Sequence, residues 1–357
     1  MVHCKKLILT LITVLVCYGF YKNLWILGKE RPRTRKTQFP MSAAECMDLK
    51  SYILNSTMKK FEVNFSGTFL KMMNALQGCP WIENRTERNL LQSQLNNCCN
   101  ASYSMIVTQE NSPVGHTIHY DAEMKVQKVT ESLYDMFPKS TPFRKPIRSC
   151  AVVGNGGILK NSFCGAEIDL ADFVFRLNLP PLNVTDDVGT KTDLVSANPT
   201  ILIDRFGSLR EKRKPFINMM RAFGSALVLM PAFSYLFCTD ISIRTLYTLE
   251  DFDMSSRVVF FNPHYIANLT LYWRNMKLQF GRMSSGLMLA SAAIEICEKV
   301  TLYGFWPFSQ DLNGTSVPHH YYDNVPPNKG AHSMPDEFFR YVQMHSKGSL
   351  QLKLGPC

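Results

Sequence analysis

At 357 residues and 46% apolar composition, the chain is long enough for one large folded domain with accessory segments and too apolar for a disordered one. Its net charge of +10 is unevenly placed: the first 40 residues carry eight Lys or Arg against one acidic residue, the remainder 31 against 28. The body therefore lacks the basic excess of a nucleic-acid-binding surface, and no nucleic-acid partner is expected.

Residues 7–27 are apolar apart from Thr10, Thr13, Gly19, Lys22 and Asn23, close to the roughly 20 residues that a spanning helix needs. Lys22 can snorkel to an interface beside Tyr21 and Trp25. The segment lacks a small-residue cleavage site, which favours an uncleaved signal anchor over a removed signal peptide. Charge counting alone favours a cytosolic body, because Lys29, Arg31, Arg33, Arg35 and Lys36 follow the span and only Lys5 and Lys6 precede it. Eleven cysteines with no Cys/His cluster suited to zinc point the other way, to an oxidising compartment. So do the seven Asn-x-Ser/Thr sequons at Asn55, Asn64, Asn84, Asn100, Asn183, Asn268 and Asn313. The expected plan is a cytosolic tail at 1–6, a transmembrane signal anchor at 7–27, a lumenal stem at 28–95 and a folded lumenal domain at 96–357.

Within the stem, residues 44–53 and 87–95 show short helical patterns. From about residue 105, apolar strands alternate with helical stretches. Strands are expected at 151–153, 173–177, 194–197, 226–230, 258–261 and 300–303. That alternation predicts an α/β fold, a mostly parallel Rossmann-like sheet flanked by helices on both faces.

The first strand runs into Gly154-Asn-Gly-Gly157, where glycines permit a tight turn and close backbone approach. Strand, glycine turn and helix start form a phosphate-binding arrangement in many such folds. The third glycine of the dinucleotide fingerprint is missing, so a purely structural turn remains open. Asn178 ends the second strand, as either a ligand contact or a turn cap. Arg176, on that strand, needs a partner such as Asp169 or Asp172. Asp251-Phe-Asp253 has the form of a metal-holding pair but follows no apolar strand, which fits a solvated helix end better.

Arg282-Met-Ser284-Ser285-Gly286 precedes a helix pattern over 287–298, so its hydroxyls and amides suit either capping or anion binding. The turn after residue 303 holds Trp306, able to stack on a base or sugar or to sit in the core. His319, His320 and His332 fall within 14 residues. Their spacing suits a zinc ion poorly and general acid–base chemistry better. Glu337, five residues on, could orient the His332 ring.

Taken together, these segments resemble the eukaryotic sialyltransferases. Residues 150–199 are similar to that family's large sialylmotif and residues 282–297 to its short one. His320-Tyr-Tyr-Asp323 resembles the third motif, and His332 to Glu337 the very short one. The phrases Cys150-Ala-Val-Val-Gly-Asn-Gly-Gly, Tyr303-Gly-Phe-Trp-Pro-Phe and His319-His-Tyr-Tyr-Asp-Asn resemble the α2,8 branch in particular.

The resemblance implies a metal-independent, GT-A-like variant of the nucleotide-sugar fold in a Golgi type II membrane protein, with 96–357 as the catalytic domain. It implies inverting transfer of sialic acid from CMP-sialic acid to the 8-hydroxyl of a terminal sialic acid, with no cofactor. The acceptor would be a sialylated glycolipid of ganglioside type, or alternatively a glycoprotein glycan. Homodimerisation stays open. His332 would be the base and His320 would bond the departing phosphate. Asn155, Asn178, Ser284, Ser285, Gly286, Trp306, His319 and His320 would contact the donor.

The resemblance also implies disulfides Cys150–Cys297 and Cys164–Cys357; the sequence alone leaves Cys297 open as a buried thiol. Two departures are Ser285, where relatives carry Thr, and Leu177, where relatives carry Cys. The short basic run at 210–214 argues for one or a few additions over a long polymer. A nicotinamide-dependent dehydrogenase would need an acidic residue where Asn178 stands. A non-catalytic sialoglycan-binding protein could dispense with His332.

Overall fold

The strands arise from short runs of β-branched and aliphatic residues that are apolar on both faces, the pattern of a sheet covered on each side. The computed structural model describes residues 41–57, 65–143, 145–325 and 332–357. Ala43–Cys357 form one compact unit. Two short antiparallel strands, β1 (Thr117–His119) and β2 (Val126–Lys128), precede the main sheet. That sheet holds β3 (Ile147–Val153), β4 (Phe173–Arg176), β5 (Leu194–Ser196), β6 (Leu227–Met230), β7 (Arg257–Phe260), β8 (Cys297–Tyr303) and β9 (Gln351–Lys353). Their order is β7-β6-β5-β4-β3-β8-β9, and every neighbouring pair is parallel. Side chains alternate between cores on opposite faces, Cys150 and Val152 entering one and Ala151 and Val153 the other.

The six expected strands are present, with β3 and β8 starting earlier than the apolar runs suggested. The seventh, β9, was not anticipated. It is three residues long and places Gln351 and Lys353 half-exposed at the sheet edge, so it carries no apolar signature.

The helices of eight or more residues are α1 (Ala43–Leu54), α2 (Leu70–Gly78), α3 (Arg85–Cys98), α4 (Arg213–Met220), α5 (Leu236–Asp251), α6 (Pro263–Asn275), α7 (Ser285–Ile296) and α8 (Met334–Lys347). Residues 286–296 of α7 are buried on every side, which makes it the central helix. It is shorter than its expected span of 287–298. Cys297 is already extended (φ −117°, ψ 145°), so helix passes to β8 without a loop.

The described residues of 43–95, which fall within the expected stem, pack onto the folded domain. Ile53, Met73 and Leu95 are fully buried in the same core as the sheet, and Cys46–Cys79 ties α1 to the residue after α2. Polar side chains of this region also satisfy backbone groups of the sheet. Gln77 donates to Leu352 O (3.1 Å) and accepts from Leu354 N (3.1 Å), which completes the free edge of β9. Gln92 likewise donates to Glu295 O at 2.9 Å, at the end of α7 where it passes into β8. Removing the segment would expose these apolar surfaces and leave those groups unpaired. The expected anchor at 7–27 lies outside the described residues. No helix among the described residues is long and apolar enough to cross a membrane.

The structure joins Cys150 to Cys297 and Cys164 to Cys357. The first links neighbouring strands β3 and β8 rather than a strand and a helix end. The second holds the chain terminus, where Cys357 N also donates to Ser162 O (2.9 Å). Cys98 and Cys99 form a vicinal pair, and Cys238 is a buried free thiol. Among the sequons, Asn55, Asn84, Asn100, Asn183 and Asn313 are exposed, and Asn268 is half-buried on α6. Asn64 lies outside the described residues.

The loops after β3 and β8 interlock through backbone alone. A Cβ on Gly154 or Gly156 would stand 2.8 or 2.6 Å from Gly304 O, and one on Gly157 only 1.9 Å from Pro318 O. Overpacking of this kind costs about 1–3 kcal/mol, and in a domain of this size each kcal/mol lowers Tm by roughly 2–4 °C. Gly157→Ala should therefore lower Tm by several degrees, with Gly78→Ala, whose Cβ meets nothing within 4 Å, as the control. Equal melting of the two variants by differential scanning fluorimetry would refute the interlock.

Candidate active site

The chain leaves β3 toward β4 on one side and β8 toward β9 on the other. Parallel sheets form ligand crevices off the carboxyl ends of strands at such a switch point. A cavity of about 620 Å³ lies there, within the usual span of roughly 300–1,000 Å³ for small-ligand sites. Asn155, Asn178, Ser284, Ser285, Gly286, Trp306, His319, His320 and His332 all line it, although they come from six separate segments.

The glycine turn does not work as a phosphate cradle. Gly154 N donates to Tyr303 O (2.7 Å), Gly156 N to Gly304 O (2.9 Å) and Gly157 N to His319 O (3.2 Å). Those amides are consumed in loop packing, so the glycines serve close approach rather than anion binding. The ligand-facing group of this turn is Asn155. Its Nδ2 donates to Leu177 O (2.9 Å), and its Oδ1 is left without a donor. A nucleotide or sugar hydroxyl would meet that demand.

Asn178 adopts the left-handed conformation (φ 59°), which Asn tolerates better than most residues. Its Oδ1 accepts from Asn198 N at 3.1 Å, and its own N donates to Ser196 Oγ at 3.0 Å. The carboxyl ends of β4 and β5 are thereby tied together. Asn198, which also lines the cavity, was not singled out from sequence. It follows β5 as Asn178 follows β4, so the same strand-end rule could have found it. Arg176, fully buried behind this corner, donates to Lys191 O (3.0 Å from Nε) and Thr192 Oγ1 (2.9 Å) and lies 3.8 Å from Asp169. Burial lowers its pKa to about 10. Asp172, the other candidate partner, bonds Ser149 instead.

Ser284 caps α7, its Oγ accepting from Leu287 N (3.0 Å). Glu337 on α8 accepts from both Ser284 N (2.9 Å) and Ser284 Oγ. Glu337 therefore does not orient His332, as its spacing had suggested; it holds the start of α7. His332 is held by Arg282, whose carbonyl oxygen lies 2.9 Å from Nδ1. A carbonyl only accepts, so Nδ1 carries the proton and the neutral ring keeps a lone pair on Nε2.

His320 Nδ1 lies 2.7 Å from Asp323 Oδ1 and its ring stacks on Tyr322 at 5.1 Å. His319 packs edge-on at 4.4 Å; burial, then the neighbouring His320, lowers its pKa. Trp306 resolves in favour of the core. It is 3% exposed, donates to Gln310 O (2.8 Å) and packs in T-shaped contacts with Phe308 and Phe338, while still lining the cavity. Asp251 pairs with Arg213, away from the cavity.

Burial raises the Glu337 carboxyl to about 7, against the two Ser284 bonds that favour its anion. The folded state then holds a proton between pH 4.5 and 7 that the unfolded chain has released, so this term loses stability as pH rises through that window. Glu295, also raised to about 7 by burial, acts in the same direction, while His345, lowered to about 4, opposes both below its unfolded value. The difference between wild type and Glu337→Gln isolates the residue. The wild-type advantage in chemical denaturation should shrink from pH 5 to pH 7.5, and a constant advantage would contradict the raised value.

Comparison with known proteins agrees with this architecture. The sequence profile of "Glycosyltransferase family 29 (sialyltransferase)" matches residues 104–349. The mouse (Mus musculus) protein "Alpha-2,8-sialyltransferase 8F" is 42% identical over 345 residues, covering 94% of this chain and 86% of that protein. The bovine (Bos taurus) "Alpha-N-acetylneuraminide alpha-2,8-sialyltransferase" is 43% identical over 284 residues, covering 79% of this chain and 80% of that protein. A crystal structure of a mammalian sialyltransferase shares the fold, with TM-score 0.51, 21% identity, and coverage of 74% of this chain and 95% of that one. The family profile over residues 104–349 and relatives more than 40% identical along most of the chain make this protein a member of glycosyltransferase family 29, the sialyltransferases.

Proposed function

We propose that this sialyltransferase moves sialic acid from CMP-sialic acid to the 8-hydroxyl of a terminal sialic acid on a glycolipid, with inversion and with His332 as base. The observation that carries the base assignment is the bond between His332 Nδ1 and Arg282 O, because it leaves the Nε2 lone pair of this cavity-lining ring free to take a proton. The α2,8 linkage is supported by the names of relatives over 40% identical, one of which specifies an N-acetylneuraminide.

The acceptor oxygen attacks the anomeric carbon as the bond from that carbon to the phosphate oxygen breaks. His332 Nε2 takes the hydroxyl proton. CMP departs with the bonding electron pair on its phosphate. With both ring nitrogens protonated, His320 would donate from Nε2 to that oxygen while Asp323 compensates its charge. The amides of Ser285 and Gly286, at the start of α7, add a partial positive charge of the kind that stabilises a developing anion. A monophosphate leaving group needs less neutralisation than a diphosphate, which is the basis for proposing a reaction without metal.

A lipid-linked acceptor is supported by Leu236, Phe237 and Leu271, which are half-exposed or more on the outer surface. The anchor at 7–27, with a Golgi lumenal body beginning at Ala43 and a stem confined to the residues between them, would hold the enzyme beside such a substrate.

His332→Ala should reduce transfer by about 10²–10⁴-fold while CMP still binds, and His320→Ala should impair both turnover and CMP binding. Near-normal turnover of His332→Ala would refute the base. With labelled CMP-sialic acid, gangliosides ending in sialic acid should be sialylated in the presence of EDTA. Transfer only to galactose-ended acceptors would overturn the linkage, and loss of activity in EDTA restored by manganese would overturn the metal-free reaction.

A further inference from the structure

A second cavity, of about 460 Å³, is lined in part by Asp121, Tyr235, Thr270, Arg274 and Arg282. We propose that it is the acceptor subsite, in which Arg274 and Arg282 receive the carboxylate of the acceptor's terminal sialic acid. The proposal deepens the function proposed above and rests on the acceptor ending in sialic acid.

The donor cavity has no Lys or Arg among the described residues that line it. Both substrates are anionic, and a carboxylate brought into a cleft requires a compensating partner. The second cavity supplies two arginines. Arg282 touches both sites: its carbonyl oxygen holds Nδ1 of His332, which lines the first cavity, at 2.9 Å, and Arg282 itself lines the second. A ligand bound to that guanidinium is therefore adjacent to the residue that holds the base.

The guanidinium is already fixed in place. Arg282 Nη2 donates to Asp121 Oδ2 (3.3 Å) and Ser234 Oγ (2.9 Å), and the group lies over the Tyr235 ring at 5.1 Å. Both hydrogen bonds use Nη2, so Nη1 and Nε have no hydrogen-bond partner among the described residues. Each of those two nitrogens can donate a single charge-assisted hydrogen bond to a carboxylate oxygen. Arg274 forms no ion pair among the described residues; its guanidinium lies over Phe280 at 5.7 Å.

Further polar groups suit a sugar. The Thr270 hydroxyl donates to Ile266 O (2.8 Å), which leaves its oxygen free to accept. Asp121 has an 8%-exposed side chain, and its Oδ1 finds no donor. A polyhydroxylated ligand offers donors to both.

The test combines kinetics with direct binding. Arg274→Glu changes an exposed position, and Arg282→Lys keeps the backbone carbonyl that holds His332. In each, KM for a sialyl-ended acceptor should rise at least 10-fold, while the CMP-sialic acid KM and the Kd of CMP stay within twofold of wild type. By calorimetry, α-methyl sialoside should bind wild type already saturated with CMP, and bind Arg274→Glu at least 10-fold more weakly. An unchanged acceptor KM in Arg274→Glu, or displacement of the sialoside by CMP, overturns the subsite. Wild-type turnover separates the two readings. Transfer to sialyl-ended acceptors with an unchanged Arg274→Glu KM sinks the subsite alone. CMP-independent sialoside binding without any transfer to sialyl-ended acceptors sinks the α2,8 reading alone.

Discussion

The structure depends on a backbone contact that tolerates no side chain. Gly304 O occupies the space in which a Cβ of Gly154 or Gly156 would stand, and Pro318 O does the same for Gly157. The loop after β3 and two stretches of the long connection after β8 therefore meet at the carboxyl ends of these strands. Gly304 itself lies at φ +70°, where other residues are strained. From this junction the chain carries Asn155 to one wall of the cavity, Phe305 and Trp306 to another, and His319 and His320 to its mouth. The glycine-rich turn looks from sequence like an anion site because the same residue type serves both purposes. What separates them is where the amides point, and here all three glycine amides are spent on the neighbouring loops.

A second constraint acts through charge. Glu337 is 1% exposed and bonds both the amide and the hydroxyl of Ser284. It stands in the first turn of α8 and grips the cap of α7, so one carboxylate joins the starts of two helices that border the donor cavity. An anion is favoured near both helix starts, yet burial still raises the carboxyl to about 7.

Much of this architecture was legible in the sequence, and the gaps have physical causes. Buried parallel strands announce themselves as apolar runs, and six did. β9 did not, because an edge strand can be short and polar when Gln77 completes its free side. Residues 43–95 looked like a stem because amphipathic helices docked on a domain have the same periodicity as helices in a tether. Their burial depends on partners more than two hundred residues away. Trp306 could not be decided from composition, since stacking on a ligand and packing on Phe308 and Phe338 demand the same ring. The cavity histidines were legible as a cluster, but the partner of His332 was not. A main-chain carbonyl carries no residue identity, so no motif could reveal Arg282 O as the group that fixes its tautomer.

That last contact makes the two histidines differ in a way that spacing cannot express. Each ring has its Nδ1 bound to a group that only accepts, so in both Nε2 is the nitrogen left for other chemistry. The partners differ in charge. Arg282 offers a neutral carbonyl, which orients the ring without rewarding a positive charge on it. Asp323 offers a carboxylate, which compensates a ring carrying two protons. Under the proposed reaction, a proton acceptor is wanted beside the incoming hydroxyl and a proton donor beside the departing phosphate. A carbonyl and a carboxylate, placed behind otherwise identical imidazoles, are sufficient to divide those roles.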